Sequence, residues 1–144
     1  MKKIQRIALL LVLSLDALVA TGDQTNIFQL GDTAESTDIL SVLCEDTANT
    51  ASIFFHIYSS LPKGSPSDLV VSAEVFGGTN TITVTDSSSS DKLYSRDVEV
   101  PAKGIVILVN KNKAGKVNYT IESHCWSASH VHLKTEIAKQ SQSK

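Results

Sequence analysis

Apolar and polar side chains alternate along most of this chain, and the alternation restarts roughly every eight to twelve residues at a turn signal. Residues 26–30 open the series. Residues 38–45 follow, with Leu40, Val42 and Cys44 on one face. Residues 51–59 are rich in β-branched and aromatic side chains, which suit a pleated, half-buried surface. Pro62, Gly64 and Pro66 end that run, because proline cannot donate to a ladder. Residues 68–76 place Leu69, Val71, Ala73 and Val75 on one face, and Gly77-Gly78-Thr79-Asn80 is a tight turn before 81–85. After a serine-rich loop, 92–100 turns Tyr94, Val98 and Val100 inward. Residues 105–109 are all apolar, the pattern of a strand covered on both faces. Residues 116–126 and 128–138 complete the set, and the polar tail 139–144 is expected to be disordered. No segment after residue 22 carries a convincing helical period. Eight or nine short strands in one domain predict an all-β protein: a single antiparallel sandwich of jelly-roll or immunoglobulin-like type.

The start of the chain is different. Lys2, Lys3 and Arg6 precede an apolar run over 7–15, and the small residues Ala17, Ala20 and Gly22 follow. That order predicts a secretory signal peptide over 1–22, cut after Ala20 or Gly22. The run is shorter than the roughly twenty residues a spanning helix needs, and Asp16 interrupts it. Residues 23–138 then form the domain, secreted or periplasmic, with no integral membrane segment after cleavage. Without the leader the chain has 10 basic and 14 acidic side chains, a formal charge of −4. With no basic patch, nucleic acid is not an expected partner.

Export changes the meaning of the two cysteines. In an oxidising compartment an isolated pair forms a disulfide. Over 116–126, Val117, Tyr119, Ile121 and Cys125 share a face, while Lys116, Asn118, Thr120, Glu122 and His124 share the other. Cys125 and Cys44 therefore both point inward, and a bond between them would cross the core. No Cys-x-x-Cys spacing suggests redox chemistry.

Residues 98–121 read as a strand, a Pro101-to-Gly104 turn, an apolar strand, a polar glycine loop and Asn118-Tyr119-Thr120-Ile121. This stretch resembles the ending of secreted pre-peptidase C-terminal-type β-sandwich modules. The resemblance implies an accessory or binding module. The aspartate-rich calcium-binding turns of that family have no counterpart in the sequence, so no ligand or catalytic residue carries over.

Candidate chemistry is sparse. His130 and His132 alternate on one predicted strand face and His124 lies just before them, so the three are candidate Zn²⁺ or Cu²⁺ ligands. The same alternation places His130 and His132 with Lys134 and Glu136, opposite Val131, Leu133 and Ile137. Trp126, the one tryptophan, falls on the polar face beside Cys125 and is a candidate ligand platform, with Tyr58 and Tyr94 as possible extensions. His56 sits between Phe54 and Tyr58 on a distant strand and cannot be placed from the sequence. No Gly-x-Ser-x-Gly elbow, paired catalytic carboxylates or phosphate-binding glycine loop is present. The expectation is a non-enzymatic binding module without a cofactor, recognising an envelope or host protein or a glycan. An inhibitor of a lytic enzyme such as lysozyme and a metal-binding envelope protein are the alternatives.

Overall fold

The computed structural model describes residues 24–61, 65–86 and 95–143. The leader read over 1–22 and Tyr94 lie outside them. Ten strands are present and no helix among these residues: β1 (Gln24–Leu30), β2 (Thr37–Cys44), β3 (Thr50–Ser60), β4 (Val71–Gly77), β5 (Asn80–Thr85), β6 (Val98–Val100), β7 (Gly104–Lys111), β8 (Val117–Ser127), β9 (His132–Leu133) and β10 (Thr135–Ser143). They form two antiparallel sheets packed face to face as a sandwich. Sheet A has the order β1-β8-β3-β6, with β9 also paired to β8. Sheet B has the order β10-β2-β7-β4-β5.

The expected alternation sets the core. Leu40, Val42 and Cys44 of β2, Val71, Ala73 and Val75 of β4, and Val117, Tyr119, Ile121 and Cys125 of β8 are all buried. Ile53, Phe55 and Ile57 of β3 and Val98 and Val100 of β6 fill the layer between them. The Gly77–Asn80 turn is where the sequence places it, and Gly78 takes φ +72°, a conformation glycine adopts without steric cost.

Three expectations are corrected. First, 128–138 is not one strand. A turn over 127–131 interrupts it, with Ser127 N–H donating to Val131 O and His130 N–H to Ser127 O, each at 3.0 Å, and with His130 at φ 58°. β9 then pairs with β8 in sheet A, and one residue later β10 pairs with β2 in sheet B. The chain changes sheets at Lys134, so the predicted alternation fails there: Val131 is exposed while Leu133 and Ile137 pack against the core. Second, β10 continues to Ser143, because residues 139–143 find a ladder partner in β2 across a bulge. Third, β7 is covered on one face only. Ile105, Ile107 and Val109 are buried, but Val106 is 44% exposed on the outer face of sheet B.

The sheets are fastened by one covalent bond and by polar pins. Cys44 of β2 and Cys125 of β8 form a disulfide between residues 81 apart in sequence. Thr135 marks the same corner: it pairs with Cys44 in the ladder, and its hydroxyl accepts the Cys125 N–H at 2.9 Å. Asp38, fully buried on β2, accepts the Tyr119 hydroxyl at 2.6 Å and pairs with Lys139 at 2.8 Å. Asp86, past the end of β5, accepts both the N–H and the hydroxyl of Ser59 on β3. The ammonium of Lys111 donates to the carbonyls of Gly31 and Gly115, closing one end. Burial holds its pKa below the ordinary lysine value, against the opposing pull of Asp32.

Two outcomes follow. Closing a loop of this length is worth about 4 kcal/mol in the chain-entropy model, so replacing both cysteines by serine should remove about that much stability in urea unfolding. A loss under roughly 1 kcal/mol would place the strength of the corner in the Thr135 contacts instead. Burial, then the Asp38 hydrogen bond, pushes the Tyr119 phenol far above its usual range. The unfolded chain loses that proton near pH 10 while the folded chain keeps it. The contribution is therefore intact below about pH 10 and falls by about 1.4 kcal/mol per pH unit above it. Tyr119→Phe should flatten the alkaline stability profile by that slope, as read from unfolding at about pH 9 and pH 11.

Candidate functional site

The side chains that alternate with the core strands stand on the outer face of sheet A. There β3 presents Phe54, His56 and Tyr58, and β8 presents Thr120, Glu122, His124 and Trp126. The antiparallel register sets Phe54 opposite His124, His56 opposite Glu122 and Tyr58 opposite Thr120. On the other side of β8, His132 of β9 stands opposite Trp126. Opposed side chains on neighbouring strands lie within contact distance. Pairing therefore gathers residues as far apart in sequence as Phe54 and His132 into one cluster.

Rings form its centre. The Trp126 indole meets His132 edge-on at 3.9 Å between centroids and Phe54 at 6.0 Å. His124 lies 5.3 Å from His132 and 6.4 Å from both His56 and Trp126. Carboxylates link the imidazoles. His56 Nδ1 is 2.7 Å from Asp97 Oδ1, and its Nε2 is 3.3 Å from Glu122 Oε2. The other oxygen of Glu122 lies 3.4 Å from His124 Nε2. Glu122 thus bridges two imidazoles, and it is mostly buried among them while Asp97 is 71% exposed. A hollow of about 240 Å³ opens among Phe54, His56, Asp97, His124 and Trp126.

The sequence candidates divide under this geometry. Trp126, His124 and His132 come together. His130 stands exposed in the 127–131 turn and reaches only the edge of the group, 6.0 Å from the indole. Tyr58 shares the face but does not line the hollow. Among the described residues no group of three or more His, Cys, Asp or Glu is arranged to hold a metal ion. All three histidines proposed as ligands lie with their rings near Trp126, and His124 also faces Glu122. Phe54, His56, Asp97 and Glu122 are the residues that sequence reasoning left out. Their signals were the alternation of Phe54, His56 and Tyr58 and the face that Glu122 shares with His124, and neither says which strand lies alongside.

The arrangement can hold a ligand by stacking and by hydrogen bonds to carboxylate and imidazole. In a hydrolytic triad the histidine turns one nitrogen to a carboxylate and the other to its nucleophile. Here the second nitrogen of His56 is turned to Glu122. Compared with known proteins, the chain matches no protein-family model and no curated protein sequence.

Trp126 also carries a buried indole N–H with no hydrogen-bond partner, and an unmet buried donor costs about 1–3 kcal/mol. Trp126→Phe keeps a ring against Phe54 and His132 and removes that donor. It should therefore cost less than about 1 kcal/mol, whereas Trp126→Ala, which leaves a void, should cost about 3. Urea unfolding followed by far-ultraviolet circular dichroism would separate the two.

Proposed function

We propose that this chain is a non-enzymatic binding module that acts outside the cytoplasm and takes a partner protein on the outer face of sheet A. The observation that carries the reading is the hollow itself, with half-buried rings at its centre and carboxylates at its rim. Binding energy at protein interfaces concentrates on such aromatic anchors, with polar groups around them. Asp97, Glu122 and Glu99, which stands opposite Phe54 in the β3–β6 ladder, make the surroundings acidic, so the matching element is an arginine or lysine side chain of the partner. Its cation would lie against the Trp126 and Phe54 rings and meet Asp97. The formal charge of −4 after the leader favours encounter with a basic partner. Export rests on the leader pattern and agrees with the disulfide. No helix among the described residues is long and apolar enough to cross a membrane.

The acidic rim also favours one narrower reading, inhibition of a basic lytic enzyme such as lysozyme. A glycan stacked on Trp126 is the other occupant of comparable chemistry.

The test uses the oxidised protein secreted from its full-length sequence. Trp126 is the only tryptophan, so its fluorescence reports this site alone until a tryptophan-containing partner is added. Immobilised wild type and Asp97→Lys would be exposed to the same extracellular fraction, and to a basic lysozyme. A partner retained by wild type and released by the charge reversal supports the proposal. A partner retained equally by both removes this face as the site. Failure to bind or inhibit lysozyme at micromolar protein removes the inhibitor reading. Turnover of any substrate that disappears in His56→Ala overturns the non-enzymatic one.

A further inference from the structure

A second concavity lies away from that face, along the seam where edge strand β1 of sheet A meets edge strand β10 of sheet B. Apolar side chains close the rest of the sandwich, but polar ones line this seam. On β10 the inward positions run from Ile137, opposite Val42, to Lys139, opposite Leu40, and on to Gln142, opposite Asp38. The bulge between Lys139 and Ser141 supplies the extra residue that keeps Gln142 on the inner face. Facing them is Phe28 of β1, half-buried and stacked on Tyr119 at 5.4 Å. The space between has a volume of about 590 Å³, with Gly31, Asp32 and Thr33 at its rim. That is within the roughly 300–1,000 Å³ of small-molecule sites.

The lysine in this pocket is held in place from below. Its ammonium sits 2.8 Å from Asp38 Oδ2, the same oxygen that accepts the Tyr119 hydroxyl. Both supporting residues are fully buried, and Asp38 Oδ1 has no hydrogen-bond partner. An inward lysine alone would suffice to keep an edge strand from pairing. That purpose does not call for a buried carboxylate and phenol to orient it, nor for a fixed ring opposite.

We propose that the seam binds a neutral polyhydroxylated ring, a single sugar unit, stacked on Phe28 and hydrogen-bonded by Lys139, Gln142 and Asp32. Charge decides the class. The Lys139 cation is matched by Asp38, and Asp32 lies 4.0 Å from the Lys116 ammonium. The walls therefore offer many donors and acceptors but little net charge, which suits hydroxyls better than an ionic ligand. Gln142 donates its Nε2 to Gln29 O at 2.9 Å, which anchors its carboxamide at the pocket wall and leaves its oxygen as an acceptor. A sugar ring presents C–H groups on one face and hydroxyls around its edge, and the pocket has one ring wall and a polar circumference. This site shares no residue with the hollow around Trp126 and does not rest on the reading given to it.

The experiment is titration of the isotope-labelled secreted protein with glucose, galactose, mannose and N-acetylglucosamine, followed by amide chemical shifts. Glycine and alanine serve as zwitterionic controls. For a ligand of this size a dissociation constant on the order of 1 mM is expected. The shifts should be confined to 28–33 and 139–142. Lys139→Met would strand the buried Asp38 charge and endanger the fold, so the variants are Asp32→Asn with Gln142→Ala, both at exposed positions, and Phe28→Leu. Each is expected to weaken the sugar about tenfold, the exposed double variant while unfolding as wild type does; Phe28→Leu, which thins the contact with Tyr119, is read by its sugar affinity in the folded state. The proposal is overturned if no sugar shifts the seam, if the shifts centre on Trp126, if the amino acids bind more tightly, or if the variants bind unchanged.

Discussion

The corner at Lys134, the last place at which the chain passes from one sheet to the other, governs the rest of the molecule. Within a few residues β8 turns back as β9, leaves sheet A at Lys134 and enters sheet B as β10. Three interactions meet there: the Cys44–Cys125 bond, the Thr135 hydroxyl on the Cys125 amide, and the pairing of Thr135 with Cys44. A strand that slipped by one residue would move every side chain to the opposite face. The covalent bond removes that freedom from β8. With Cys125 fixed inward, His124 and Trp126 are fixed outward, and β9 can only bring His132 alongside the indole. The exposed Lys134–Glu45 ion pair at 2.5 Å sits on this corner but, like most exposed pairs, adds little. The inner bond and the outer cluster are thus two faces of one constraint.

Away from that corner the apolar core joins the sheets, and a few polar groups cross it. Asp38 with Tyr119 and Lys139, Asp86 with Ser59, and Lys111 with two carbonyls each cross from one side of the molecule to the other. Buried polar pairs add little net stability compared with apolar residues of the same shape, yet breaking one is costly because a partner is left unmet. Their effect is therefore selective. Face-to-face apolar sheets can slide past one another with small change in buried area, whereas a carboxylate that must meet one hydroxyl and one ammonium permits a single alignment. The Asp38 pin lies under the β1–β10 seam, so the interaction that aligns the sheets there also shapes the pocket.

Much of the fold was legible from local pattern. The parity of β2, β4 and β8 named the inward residues, and two inward cysteines on separate strands implied the bond that crosses the core. What was not legible depends on which strands are neighbours. Nothing local to His56 says that Asp97 and Glu122 flank it, because both contacts come from pairing across long stretches of chain. The 128–138 error has a different origin. Alternation was carried through Ser127 to Val131, but those residues form a turn in which His130 takes a left-handed conformation, one that histidine tolerates better than most side chains. The apolar run of β7 misled because composition records propensity and burial together. Val106 is apolar on an outer sheet face that no described segment covers.

The two concavities draw on different physical resources. Apart from Asp97, the hollow on sheet A is built from side chains whose backbones are locked in the central strands β3 and β8, and such positions hold geometry well. It is the smaller of the two, about 240 Å³ against about 590 Å³. It therefore suits contact with a surface that brings its own protruding group. The seam lies between the edge strands β1 and β10, where an irregular strand can be tolerated. The bulge in β10 belongs there for that reason: in a central strand the extra residue would disrupt ladders on both sides, whereas at an edge it disturbs one. It also alters the alternation so that Gln142 faces inward beside Lys139. A regular strand would have placed Ser141 at that inward position, and the pocket would have lost the amide that links its two walls.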